Sequence, residues 1–207
     1  METSSTPEAI RLEELWSGDF GDGYVERNAG AGDARGPFWA SLLDRYPARR
    51  ILEVGCNVGA NLQHLVGEDR DIWGVDVNRT AIAQLHDRLP EVGGGWGTAR
   101  DLPFRDRRFD LVFTVAVLIH QPEDALALAM AELVRCSRHW VLAIEYVADA
   151  TTVVDYRGQT DAFFKRDYGR IFTSLFPDAH IVQQGELSKA DGFDDGLGYW
   201  VVDVSSI

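Results

Sequence analysis

From Arg50 onward, short runs of β-branched and aromatic residues alternate with stretches whose apolar residues recur at helical spacing. The runs at 51–54, 71–75, 96–99, 111–115 and 140–145 read as strands. Between them 59–66, 80–89 and 123–136 read as helices, the last entered through Pro122. Strand followed by helix throughout predicts a parallel sheet with helices on both faces. Beyond Val147 the pattern changes to an irregular segment around 156–160, a helix over 161–176, and two strands at 180–184 and 199–204 separated by the Gly- and Asp-rich loop 191–198. Two strands in succession predict an antiparallel hairpin at one sheet edge. Ahead of the alternation, 10–16 carries Leu12, Leu15 and Trp16 at helical spacing, 17–22 reads as a loop, 24–28 as a helical turn, 30–36 as a flexible connector and 38–45 as a helix. The expectation is one domain over 1–207, with 1–45 a helical N-terminal lid and 46–207 an α/β core.

Composition narrows the partners more than the fold. The chain has 207 residues and a formal net charge of −13, from 33 acidic against 20 basic residues, a field that repels the phosphates on which nucleic-acid affinity rests. No nucleic-acid partner is expected. The two cysteines, Cys56 and Cys136, are too few for a disulfide framework, which fits a reducing cytoplasm. No apolar run is long enough to span a bilayer, so no membrane partner is expected. The histidines are dispersed and no carboxylate cluster accompanies them, so no metal site is expected.

The chemistry concentrates behind the first core strand. Gly55-Cys56-Asn57-Val58-Gly59 follows it, and glycines there let the backbone turn tightly and approach a ligand with no Cβ in the way. A dinucleotide fingerprint has a third glycine and seats a pyrophosphate on a helix N-terminus. Here that glycine is absent, and Glu53 places a negative charge where a pyrophosphate would lie. About twenty residues on, Asp76 ends the second strand, where a carboxylate can accept from both hydroxyls of a ribose.

Further along stands Ala99-Arg100-Asp101-Leu102-Pro103-Phe104, then Arg108-Phe109-Asp110-Leu111-Val112. With the glycine turn and Asp76, these residues resemble the class I S-adenosylmethionine-dependent methyltransferases over roughly 50–150. The resemblance implies a Rossmann-like α/β fold with a mostly parallel seven-stranded sheet and an antiparallel C-terminal edge hairpin. It implies S-adenosylmethionine as cofactor, contacts with adenine from Asp101 and the Leu102 amide, and further cofactor contacts at Val77 and Val115. The flanks Leu15-Trp16-Ser17-Gly18-Asp19-Phe20-Gly21-Asp22, Tyr24, Arg27-Asn28, Glu145-Tyr146, Tyr156-Arg157-Gly158 and Phe164-Lys165-Arg166-Asp167-Tyr168 look like the methylases associated with pseudaminic acid biosynthesis. That points to a sugar, nucleotide-sugar or related small-molecule acceptor.

Methyl transfer from a sulfonium is an in-line displacement, so positioning and water exclusion carry most of the catalysis. His120, just past the fourth strand, is the first candidate for a general base, or else a cap or wall residue. Glu145 and Tyr146, after the fifth strand, are the second candidates, to orient an acceptor hydroxyl. Trp16, Tyr24, Arg27 and Asn28 are expected to close over the cofactor, with Arg27 or Tyr24 on its carboxylate. The cofactor set is thus Trp16, Tyr24, Arg27, Glu53, Gly55, Cys56, Asn57, Gly59, Asp76, Val77, Asp101, Leu102 and Val115. Tyr156, Arg157, Lys165, Arg166 and Tyr168 could hold an acceptor phosphate. Two other readings stand beside this one: a cofactor-binding pathway protein that transfers nothing, and an NAD-type oxidoreductase.

Overall fold

A computed structural model describes residues 7–28 and 32–207; the Asn28 side chain lies outside that set, as does part of the expected connector at 30–36. The chain opens with three helices, α1 (Pro7–Ser17), α2 (Asp19–Asn28) and α3 (Gly36–Arg45). It continues through β1 (Arg50–Val54), β2 (Asp71–Asp76), α4 (Arg79–Arg88), β3 (Gly93–Trp96), β4 (Phe109–Val115), α5 (Glu123–Cys136) and β5 (Ser137–Tyr146). The last third holds β6 (Thr152–Val153), β7 (Phe164–Lys165), α6 (Tyr168–Leu175), β8 (His180–Leu187) and β9 (Leu197–Asp203). Seven strands form one sheet in the order β3-β2-β1-β4-β5-β9-β8, parallel from β3 to β5, with β9 antiparallel to both β5 and β8. The expected mostly parallel seven-stranded sheet with its antiparallel C-terminal hairpin is therefore what forms.

Side chains alternate across each strand, so one strand feeds two cores. Leu52 and Val54 of β1 face a layer with Ala129, Met130 and Leu133 of α5 and Phe172 of α6. Ile51 faces the other, with Trp39, Leu42 and Leu43 of α3 and Leu85 of α4. Burial on both faces is why the central strands read as unbroken apolar runs. Asn78 starts α4, its Oδ1 accepting from the Ala81 amide at 2.8 Å, and Asp167 starts α6 in the same way through Arg170 at 2.9 Å.

Four elements differ from their sequence reading. Residues 59–66 form no α-helix, only a turn and a 3-10 stretch at Leu62–His64, because Asn57 (φ 47°) and Gly59 (φ 82°) are left-handed and break a right-handed run. The third strand is Gly93–Trp96 rather than 96–99, since only glycine fits there: a Cβ on Gly93 would lie 2.6 Å from the Trp73 ring and one on Gly94 2.5 Å from His86. Helix 161–176 is cut to α6, because Asp161 is left-handed (φ 51°) and 164–165 pair with β6. Residues 17–22 are helical apart from a bend at Gly18, whose amide reaches Glu14 O at 3.1 Å and whose carbonyl takes the Asp22 amide at 3.0 Å. Gly21 answers to close packing rather than a loop: a Cβ there would sit 1.8 Å from the Trp16 carbonyl oxygen. Among the described residues no helix is long and apolar enough to cross a membrane.

Candidate functional site

Strand order reverses between β1 and β4, and the crevice at the carboxyl ends of such strands is where open α/β sheets bind ligands. A cavity of about 620 Å³ lies there, floored by Glu53–Val58, Asp76–Asn78 and Val115–Val117. The N-terminal helices cover it with Trp16 and Tyr24, and the C-terminal segments close it with Tyr146, Tyr156, Phe163 and Asp194. Among the described residues, three of the five left-handed non-glycine residues, Asn57, Ala116 and Arg157, line it, so backbone strain concentrates at this site.

The floor is tightly wired. Asp76 accepts from the Asn57 amide through Oδ2 and from the Asn78 amide through Oδ1, both at 2.8 Å, which ties the glycine turn to the end of β2. Burial raises its pKa against those amides. Glu53 is 1% exposed and accepts from Asn61 Nδ2 at 2.6 Å through Oε1, whereas its Oε2 has no partner among the described residues. Burial pushes its pKa to about 8. Asn57 Oδ1 and Trp16 Nε1 are likewise buried and unpartnered among the described residues. Three residues that line the cavity therefore each carry a buried polar atom with no partner among the described residues, a costly state for a protein unless a ligand supplies the partners.

Most of the expected cofactor set meets here: Trp16, Tyr24, Glu53, Gly55, Cys56, Asn57, Asp76, Val77 and Val115 all line the cavity. Gly59 does not; a Cβ there would fall 2.6 Å from Leu85 and 2.8 Å from Leu89, so it seats the turn on α4. Asp101 is exposed and Leu102 donates its amide to Glu132 at 2.6 Å, leaving neither at the cavity, where Gly97, Thr98 and Ala99 stand instead. Arg27 points to solvent from α2, whereas Arg35 lines the cavity beside Glu53 and Asn61. Arg35 donates to Asn61 Oδ1 at 2.8 Å and to the Gly192 carbonyl at 3.1 Å, and burial lowers its pKa.

The proposed acid–base residues separate. His120 lines the cavity with Nδ1 2.6 Å from the Ala162 carbonyl oxygen, and burial lowers its pKa to about 4. Glu145 does not reach the cavity: it is fully buried and accepts from Thr114 Oγ1 and the amides of Val117, Leu118 and Ile119 at 3.0–3.1 Å. Its carboxylate ties down the backbone of the segment that leads to His120. Tyr146 does reach the cavity and donates to Asp194 Oδ2 at 3.0 Å. Of the expected phosphate group, Tyr156 and Arg157 line the cavity, but Arg166 is buried and donates to the Gln121 carbonyl, Lys165 lies over the Tyr146 ring, and Tyr168 donates to the Phe164 carbonyl. Arg35, Asn61, Phe163 and Asp194 carry no sequence signal of their own, since each reaches the site only through tertiary packing. Among the described residues no group of three or more His, Cys, Asp or Glu is placed to hold a metal ion.

Residues 51–139 match the methyltransferase domain family. The chain is 32% identical over 110 residues to a ubiquinone biosynthesis O-methyltransferase of Alkalilimnicola ehrlichii, covering 50% of this chain and 44% of that protein. It is 32% identical over 84 residues to a probable S-adenosylmethionine-dependent methyltransferase of Mycobacterium tuberculosis, covering 41% and 31%. The chain thus matches less than half the length of either relative. Its fold is shared by the Burkholderia thailandensis 1,6-didemethyltoxoflavin-N1-methyltransferase, solved with 1,6-didemethyltoxoflavin and S-adenosylhomocysteine, at a TM-score of 0.71 and 17% identity over 98% of this chain and 90% of that one. The glycine turn and Asp76, both within the matched residues, form the cavity floor.

Proposed function

We propose that the protein transfers the methyl group of S-adenosylmethionine to a small-molecule acceptor. The observation that carries this is the set of unsatisfied acceptors beside the glycine turn, Glu53 Oε2 and Asn57 Oδ1, on the same floor as Asp76. An amino acid ammonium satisfies both, and its charge offsets the burial that otherwise pushes Glu53 to about 8. Asp76 keeps lone pairs beyond the two amides it accepts and takes the ribose hydroxyls. Arg35 takes the carboxylate, with the fork geometry that suits it. Val77, Thr98, Ala99 and Val115 hold the adenine. When bound, the sulfonium supplies an electrophilic methyl, and the protein contributes orientation and a covered, water-poor cavity.

A dinucleotide fits less well, because the segment after β1 is a 3-10 turn of three residues and not an α-helix whose N-terminus could carry a pyrophosphate. The flanks that look like pseudaminic acid-associated methylases put sugars and nucleotide sugars among the acceptors to screen, with Arg157 as a cavity cation for a phosphate. The test is calorimetric titration with S-adenosylmethionine, S-adenosylhomocysteine and NADH. Saturable binding of the first two without NADH supports the reading, and binding of NADH alone overturns it.

A further inference from the structure

The acceptor end of the cavity differs in chemistry from its floor. Trp16 Nε1 is a buried donor without a partner among the described residues, and it is held in place rather than loose: the Trp16 carbonyl accepts from Asn78 Nδ2 at 3.1 Å. The indole packs against the His120 ring with centroids 4.4 Å apart. His120 Nδ1 lies 2.6 Å from the Ala162 carbonyl oxygen, which can only accept, so Nδ1 carries the proton and Nε2 the lone pair. Burial keeps this ring neutral across the physiological range. Tyr156 stands 6.4 Å from Trp16 at an interplanar angle of 33°, and Phe163 stacks on Tyr156 at 5.4 Å and 27°. A donor and an acceptor are thus neighbours inside a wall of flat rings.

We infer that Trp16 Nε1 and His120 Nε2 read the acceptor as a pair, and that the acceptor is a planar unsaturated ring bearing an acidic O–H or N–H beside a carbonyl or ring nitrogen. This rests on the methyl-transfer reading of the cavity. The indole N–H satisfies the carbonyl or ring nitrogen, and Nε2 accepts the hydrogen bond from the adjacent O–H or N–H. In transfer, a lone pair of that oxygen or nitrogen forms the bond to the methyl carbon. The carbon–sulfur bond breaks with its electron pair staying on sulfur, and the acceptor's proton passes to Nε2 and then to water. A base as weak as this buried imidazole suits an acceptor that ionises readily, as a hydroxyl conjugated to a carbonyl does, and not an isolated sugar alcohol. The aromatic walls match the faces of a flat ring.

The experiment saturates the wild-type protein with S-adenosylhomocysteine and then titrates 2-hydroxy-1,4-naphthoquinone or UDP-N-acetylglucosamine by calorimetry. The same is repeated with Trp16→Phe, which keeps an aromatic wall and deletes the N–H. Expected are binding of the naphthoquinone and none of the nucleotide sugar, and in Trp16→Phe a loss of about tenfold in naphthoquinone affinity for one hydrogen bond removed, larger than any loss of S-adenosylhomocysteine affinity. Binding of the nucleotide sugar alone overturns the inference. So does a Trp16→Phe loss that falls mainly on S-adenosylhomocysteine, which would assign the indole N–H to the cofactor. Failure of S-adenosylhomocysteine to bind the wild type appears before any acceptor is added and overturns the methyl-transfer reading itself.

Discussion

The two ends of the cavity are built on different principles. At the floor, carboxylates are fixed by backbone amides: Asp76 joins 57 to 78, and Asn78 in turn caps α4 and holds the Trp16 carbonyl. At the cover, rings from three distant stretches, Trp16, His120, and Tyr156 with Phe163, pack against one another. Polar wiring sets position to within a hydrogen bond and tolerates little change. Ring packing is less directional and can adapt to what lies beside it. The contrast matches the needs of a methyltransferase, whose donor is constant while its acceptor differs from one enzyme to the next.

If that contrast holds, the largest effect comes from the floor. Asp76→Ala removes the proposed ribose acceptor and also strands the Asn57 and Asn78 amides, each worth about 1–3 kcal/mol when buried without a partner. S-Adenosylhomocysteine affinity should fall by more than tenfold and the melting temperature should drop with it. The sequence alone suggests a removable edge carboxylate; the two amides make it part of the fold. Asp76→Asn, which keeps one acceptor oxygen, should recover part of the stability and less of the affinity, and equal recovery of both would put Asp76 in the scaffold only.

Glu145→Gln probes the link between the two ends. The carboxylate serves Thr114 and three successive amides at the start of the His120 segment, and an amide group presents an N–H where one oxygen now accepts. A destabilisation of about 1–3 kcal/mol in urea unfolding is expected, with turnover reduced and S-adenosylhomocysteine affinity nearly kept. A drop in turnover at unchanged stability would instead return Glu145 to direct chemistry.

What the sequence discloses follows the same division. Gly55, Asp76 and Glu53 are legible because strand, turn and acid are close in the chain and their spacing is set by one βαβ-like unit. On the side expected to hold adenine, the acid of Asp101-Leu102-Pro103 turns outward while Thr98 and Ala99 line the cavity, and β3 lies three residues earlier than its side chains suggest. Three glycines in succession carry no strand propensity, and the Trp73 ring and His86, packed over the first two, are tertiary contacts that the pattern does not show. The helix expected at 59–66 failed for a related reason, because apolar periodicity does not register two left-handed residues. The cover was legible only as a list of aromatics, since which rings meet depends on α1, the 118–120 turn and the β6–β7 segment folding together.

The smallest effect separates two arginines eight positions apart. Both lie near glycines in the N-terminal region, both could match a carboxylate, and the sequence favours Arg27 because it sits in a helical stretch with Tyr24. On α2, however, Tyr24 turns toward the cavity and Arg27 packs beside Gly23 facing solvent, whereas Arg35 follows a left-handed Gly32 that turns the chain back over Asn61. Arg27→Ala should therefore leave S-adenosylhomocysteine affinity unchanged and stability within about 0.5 kcal/mol, as exposed substitutions do. Arg35→Ala, measured in the same titration, should cost about tenfold in affinity, the worth of one charge-assisted pair. Reversal of that order would show that α2 rotates when ligand binds, exchanging the solvent and cavity faces of the cover.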